Sequence, residues 1–201
     1  MNSSRIAILA VGMICLATSG QVSATTVVGG IAFDDNAFAD ELISATAGWT
    51  FGGGASSLED ALVGSNPDDY AYAFGSNENV VLAFTDNAAI NLSGEDLAIF
   101  ELGTVESFDL AVSVGGTTNT YSAVDTGYMA GGYHLLVVKI DLDDFSIPSG
   151  GLVDTIQLYP DPFDIDPADF TVIGALNNVP EPGTFLLVGL GGLVLLRKRR
   201  K

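Results

Sequence analysis

Short runs of alternating apolar and polar residues dominate the middle of the chain. In "ESFDLAVSV", Phe108, Leu110, Val112 and Val114 point one way while Ser107, Asp109 and Ser113 point the other, the period of a half-buried strand. "YAYAF" sets Tyr70, Tyr72 and Phe74 on one face and alanines on the opposite one. "NVVLAF", "DLAIFEL", "YHLLVVKIDL" and "LVDTIQLY" are further β-rich runs, each bounded by Gly, Asn, Asp or Pro. Gly115-Gly116 and Thr118-Asn119 punctuate a turn between two of them. About eight to ten strands at this spacing predict an all-β fold, an antiparallel β-sandwich of jelly-roll type. One segment departs from this period: "NAFADELISATAG" predicts a helix over Asn36 to Ala47, with an acidic first half. The glycines are scattered rather than periodic, which argues against a solenoid.

The ends have a different texture. Residues 1–24 place Arg5 before an apolar stretch from Ile6 to Ala17 and close on Val22-Ser23-Ala24. This is the order of a secretory signal peptide, cut by signal peptidase between Ala24 and Thr25. The only cysteine, Cys15, lies inside that leader. The exported chain therefore has no thiol, which excludes disulfides, thiol catalysis and cysteine-held zinc. Its domain, residues 25–178, must hold itself by its core, and at about 150 residues it is large enough to do so.

At the other end, thirteen residues from Thr184 to Leu196 are apolar or Gly apart from Thr184. As a helix they would reach roughly 20 Å, against a hydrocarbon core of about 30 Å. Arg197, Lys198, Arg199, Arg200 and Lys201 follow as a stop-transfer cluster that stays on the cytoplasmic side. This predicts a short transmembrane segment over 184–196, with the domain outside and the basic tail inside. Ahead of it, Pro180-Glu181-Pro182-Gly183 cannot be helical, because proline fixes φ and pushes its predecessor to extended backbone.

Charge divides the chain in the same way. Of 25 acidic residues, 24 lie between Thr25 and Asn178, where Lys139 is the only basic one. Such a domain repels phosphate backbones, so nucleic acid is excluded as a partner.

Val179, Pro180, Glu181, Pro182 and Gly183, the apolar stretch and the terminal basic cluster together resemble the PEP-CTERM sorting signal. That signal is found in exported proteins of Gram-negative bacteria that make extracellular polysaccharide. The resemblance covers residues 179–201. It implies tethering in the inner membrane, recognition and cutting by a membrane-embedded exosortase, and delivery to the cell surface or extracellular matrix. The Leu-Pro-x-Thr-Gly of sortase substrates is absent. A second resemblance covers roughly residues 31–176. The run from Val80 to Gly127, with "LAFTDN", "DLAIFEL" and "LAVSV", and the run "KIDLDDF…DFTVIGAL" are similar to discoidin-like or galactose-binding-like jelly rolls of bacterial surface proteins. Leu92-Ser93-Gly94-Glu95 departs from the Asp-Gly-x-Gly often found there.

Four groups of residues are candidates for chemistry. Asp161, Asp164, Asp166 and Asp169 in "DPFDIDPADF" offer the oxygen ligands that Ca²⁺ takes from irregular backbone, although the spacing is not that of an EF-hand. The jelly-roll resemblance brings Asp34 and Asp35 beside them. A solvated acidic loop explains the same residues without a metal. Asp86, Glu95, Asp96 and Glu101 flank two strands, and a carboxylate pair is what glycoside hydrolysis requires. Among so many carboxylates, pairs in sequence carry almost no specificity. His134, the single histidine, sits in a strand on the face of Leu136, Val138 and Ile140 and is expected to be partly buried. Without a second His or a Cys, it builds neither a transition-metal site nor a Cys/His dyad. Trp49 and Tyr121 stand for the aromatics of a sugar-binding face, with Phe51, Tyr70, Tyr72, Tyr128 and Tyr133 beside them; core packing accounts for the same rings. These features predict a non-catalytic surface or matrix protein tied to exopolysaccharide or biofilm. The alternatives are a calcium-dependent carbohydrate-binding module and, more remotely, a glycan-active enzyme.

Overall fold

A computed structural model describes residues 25–75, 77–112, 116–160 and 167–180, and of Pro180 the backbone only. Strands β1 (Thr25–Val28), β2 (Ile31–Asp34), β3 (Glu41–Ala45) and β4 (Trp49–Gly52) come first. Helix α1 (Leu58–Leu62) precedes β5 (Tyr70–Ala73), β6 (Val80–Ala83), β7 (Asn87–Ile90) and β8 (Leu97–Leu102). Next are β9 (Ser107–Ala111), β10 (Asn119–Ser122), β11 (Val124–Ala130) and β12 (Tyr133–Ile140), then a 3₁₀ turn (Leu142–Phe145). The described residues end with β13 (Leu152–Val153), β14 (Thr155–Pro160), β15 (Asp169–Ala175) and β16 (Asn178–Pro180).

Two sheets face each other, in the orders β10-β9-β14-β6-β3 and β11-β12-β8-β15-β5-β4. All strand pairings are antiparallel, and the chain crosses repeatedly from one sheet to the other, the winding of a jelly-roll sandwich. Leu97, Ile99, Leu136, Ile140, Phe170 and Ile173 of the larger sheet pack on Leu82, Phe108, Leu110, Ile156 and Leu158 of the smaller one. The opposite face of the larger sheet is also covered. There Ala98, Phe100, Leu102, Leu135 and Val172 lie beneath the β1–β2 hairpin and the segment after it, through Val28, Phe33, Ala37 and Phe38. The Phe33 ring centroid is 5.1 Å from that of Phe38 and 6.1 Å from that of Phe100. Gly174 makes room for it, since a Cβ there would stand 2.7 Å from the Phe33 ring. Double coverage explains "LAIFEL": all six residues of β8 are buried, so the strand reads as an apolar run with little alternation.

The helix expected over Asn36 to Ala47 does not form. Phe38 bridges Gly174, and β3 pairs with β6 through a bulge between Leu42 and Ser44. Ala39 N–H donates to the Ile173 carbonyl at 3.0 Å, and the Ala37 carbonyl accepts from Ala175 N–H at 2.7 Å. Asp40, read as part of an acidic first turn, instead accepts from Thr85 N–H and Oγ1 at 2.8 Å and from Asp86 N–H at 3.1 Å. Partners distant in sequence thus override a local helical pattern. A short helix forms later, at α1, where the Ser57 hydroxyl accepts from Asp60 N–H at 3.0 Å as an N-cap. The leader, the span expected over 184–196, Asp161, Asp164 and Asp166 lie outside the described residues. Among the described residues, no helix is long and apolar enough to cross a membrane.

Candidate functional site: an aromatic cleft and the strand-held segment 178–180

Strand β5 builds one wall of a cleft by simple alternation. Ala71 and Ala73 are buried inward, which leaves Tyr70, Tyr72 and then Phe74 on the outer face of the larger sheet. The rings form a continuous ridge. Tyr70 and Tyr72 lie nearly parallel at 6.4 Å, and Phe74 meets Tyr72 edge-on at 5.5 Å. Tyr133, at the start of β12, meets Tyr70 edge-on at 6.3 Å. Phe74 and Tyr133 are 60 % and 50 % exposed, so these faces are available to a ligand. Tyr70 is opposite Gly52 of β4, and a Cβ there would stand 2.5 Å from the Tyr70 ring. The missing side chain lets the ring lie down against β4.

The rest of the cleft comes from the ends of β8 and β15. Leu102, Gly103, Thr104 and Glu106 line it on one side, Pro167 and Asp169 on another, around a volume of about 380 Å³. Asp169 pairs with Leu102 across the two strands. Glu106 is almost buried; Thr104 Oγ1 donates to its Oε1, and its own N–H donates to Glu101 Oε1 at 3.4 Å. Burial pushes the Tyr70 hydroxyl above its ordinary pKa, and Tyr133, Asp169 and Tyr72 add to the effect. The cleft therefore sets aromatic rings beside half-buried Asp169 and buried Glu106, and among the described residues its lining includes no cationic side chain. Its size falls in the range of small-molecule and oligomer sites.

The two aromatics singled out from sequence lie elsewhere. Trp49 packs on the main core 6.2 Å from Phe170, and its indole N–H donates to the Asn79 carbonyl at 3.1 Å. Tyr121 packs beside Phe145 and donates to Asp144 Oδ2 at 3.2 Å. Its pKa is pushed up to about 12, first by burial and then by the Asp144 charge. Phe74, Thr104 and Glu106 were not singled out as site residues, although Phe74 already shared a face with the two tyrosines in the strand pattern.

The carboxylates separate in the same way. Asp35 accepts from Thr26 Oγ1 at 2.8 Å and shares a small hollow of about 150 Å³ with Asp40 and Asp86. Asp34 ends β2 on the exposed side, and Asp169 lies in the aromatic cleft. Burial raises the pKa of Asp86, and Asp40 beside it adds to the rise. For Asp40, burial acts the same way, but hydrogen bonds from Thr85 and Asp86 outweigh it and hold the carboxyl low. Among the described residues, no three such groups converge as a metal site.

Asp96 and Glu101 stand near opposite ends of β8. Asp96 is fully buried and accepts from Leu92 N–H at 2.9 Å, Leu142 N–H at 3.0 Å and Asn177 Nδ2 at 2.9 Å, a structural hub. His134 is in a strand as expected but not partly buried. Its side chain is 62 % exposed, 3.1 Å from Asp125 Oδ2. Position explains it: residue 134 is the second of β12, where the sheet runs past the packed core.

The last described residues are also placed by the fold. After β15, Asn177 Nδ2 reaches Asp96 Oδ1, and the Asn177 carbonyl accepts from Ile90 N–H at 3.0 Å. Strand β16 then pairs Asn178 with Ala89, Val179 with Ala88 and Pro180 with Asn87, in a small sheet of order β13-β7-β16.

Comparison with known proteins adds an assignment at this end. A family model, the PEP-CTERM protein-sorting motif, matches residues 178–201. The chain thus carries that motif, which supports an exosortase-processed surface protein and implies export and anchoring through the C-terminal region. No curated protein matches the chain. Among solved structures, it is similar to the exo-β-1,3-galactanase from Phanerochaete chrysosporium, determined with galactose. The identity is 16 % and the TM-score 0.34, over 66 % of this chain and 29 % of the galactanase chain.

Proposed function

We propose that the protein is an exported exosortase substrate whose β-sandwich binds a neutral polysaccharide, without cleaving it, at the surface or in the matrix of a Gram-negative cell. The observation that carries the reading is the ridge of half-buried Tyr70 and Tyr72 and exposed Phe74 and Tyr133 beside Glu106 and Asp169. The C–H faces of a pyranose ring are apolar and lie well on aromatic rings, while its hydroxyls donate to carboxylates. The acidic lining selects against polyanions, because among the described residues it carries carboxylates and no cation. Exopolysaccharide of neutral hexoses is the ligand class that fits, and a structural or adhesive role follows from holding it.

The test is a binding isotherm of the mature protein with neutral and uronic-acid-rich polysaccharides, repeated with Tyr72→Ala and Phe74→Ala. Each variant should lose about tenfold in affinity for the neutral polymer and keep its melting temperature within about 2 °C, since both side chains are at the surface. Unchanged binding in both variants refutes the cleft. Glu106 and Asp169 support a second reading, in which they act as the acid and base of a glycan-cleaving enzyme. Release of reducing ends, abolished by Asp169→Asn, would favour that reading over binding alone.

A further inference from the structure

The sorting motif does not begin on a free linker. Between the last residue of β15, Ala175, and the first of β16, Asn178, there are only Leu176 and Asn177, and both are tied down. Leu176 N–H donates to the Asp96 carbonyl at 2.7 Å. Asn177 Nδ2 donates to Asp96 Oδ1 at 2.9 Å and to the Glu95 carbonyl at 3.3 Å. Asp96 is buried at the root of the central strand β8, so these bonds fix the chain to the rigid middle of the sandwich. From there, β16 runs antiparallel to β7, and its pairs with Ala89, Ala88 and Asn87 include the first two residues of Val-Pro-Glu-Pro-Gly.

Proteases take substrates as extended strands whose backbone edges they occupy themselves. Here one edge of Val179-Pro180 is already occupied by β7. The pairing is short and lies at the edge of its small sheet, so it opens more readily than the sandwich as a whole. We propose that β16 is a latch on the sorting motif: paired with β7 it keeps the start of the motif from the membrane-embedded exosortase, and processing proceeds from the transiently unpaired form. This rests on the reading of the chain as an exosortase substrate. It adds that the folded domain sets the rate of its own release. When opening and closing are fast relative to cutting, the rate follows the open fraction, so each tenfold change in that fraction changes processing tenfold.

The experiment is a pulse-chase of the full-length precursor in exosortase-bearing cells, reading conversion to the mature form. Asn178 and Ala89 face each other next to the bonded Ile90–Asn177 pair, which makes them a closely spaced pair with Cα atoms about 4.5 Å apart, within disulfide reach. The variant Asn178→Cys/Ala89→Cys has no competing thiol after the leader is removed. Oxidised, it should be processed at least tenfold more slowly than the same chain kept reduced, which serves as its own folding control. Asn177→Ala, which removes two of the anchoring bonds, should be processed several-fold faster than the wild type. Equal rates for the oxidised and reduced chains, or an unchanged rate for Asn177→Ala, overturn the latch. Glu181→Ala/Pro182→Ala leaves β16 residues intact and separates the two ideas. It should block processing in every background; if it is processed normally, the sorting reading fails and the latch with it.

Discussion

Substituting Gly52 by alanine tests whether the β4 backbone sets the position of Tyr70. The added Cβ would stand 2.5 Å from Tyr70 Cζ, 2.6 Å from Oη and 2.9 Å from Cε1. Ordinary contact begins near 3.4 Å, so the ring must retreat by about 0.9 Å. Overpacking of this kind costs about 1–3 kcal/mol, and the low end applies because the ring is only half-buried and can swing outward. Alanine in a strand recovers about 0.5 kcal/mol over glycine, which leaves a net loss near 0.5–1 kcal/mol. For a domain of this size that lowers the melting temperature by about 2–4 °C at most. Displacing one ring of the ridge should also weaken polysaccharide binding, by about fivefold if roughly 1 kcal/mol of aromatic contact is lost. Calorimetric melting and a binding isotherm read the two effects. The decisive arm is a double-mutant cycle: in a Tyr70→Ala background, Gly52→Ala should be neutral or slightly stabilising. If alanine at 52 costs the same with and without the Tyr70 ring, the clash is elsewhere and Gly52 does not position the cleft.

Two further outcomes are expected. Asp96→Ala removes the acceptor of Leu92 N–H, Leu142 N–H and the Asn177 amide. It should cost about 3 kcal/mol by urea unfolding, and a loss under about 1 kcal/mol would show that the hub is dispensable. The calcium site expected over Asp161, Asp164, Asp166 and Asp169 predicts that millimolar Ca²⁺ raises the melting temperature and that Asp164→Asn/Asp166→Asn abolishes the rise; no shift in the wild type refutes it.

Much of the sandwich was legible because its signal is local. The period of two in "YAYAF" and "ESFDLAVSV", and the length of "YHLLVVKIDL", return as β5, β9 and β12. The segment around Asp40 was misread because its composition favours a helix, while its true partners, Thr85, Ile173 and Ala175, are distant in sequence. The cleft was half legible. Alternation placed Tyr70, Tyr72 and Phe74 together, but whether a strand's aromatic face looks inward or outward depends on what the sheet packs against. Here the inner surface takes the alanines, and the core takes Trp49 from the neighbouring strand. Glu106 enters the cleft from the β8–β9 loop and Asp169 from the start of β15, more than sixty positions apart, which no window along the chain can bring together.

The strand order also has a consequence for when the domain becomes a domain. β14 lies between β9 and β6 in one sheet, and β15 between β8 and β5 in the other. Both sheets therefore have a gap near their middle until residues 155–175 are laid in. A chain emerging N-terminus first cannot close either layer early, and topologies built from such distant pairings fold slowly. Closure of both layers therefore waits on β14 and β15, the last long strands of the domain. The strand that finally closes the larger sheet is separated from the sorting motif by only two residues, so completion of the fold and arrival of the anchor are nearly one event.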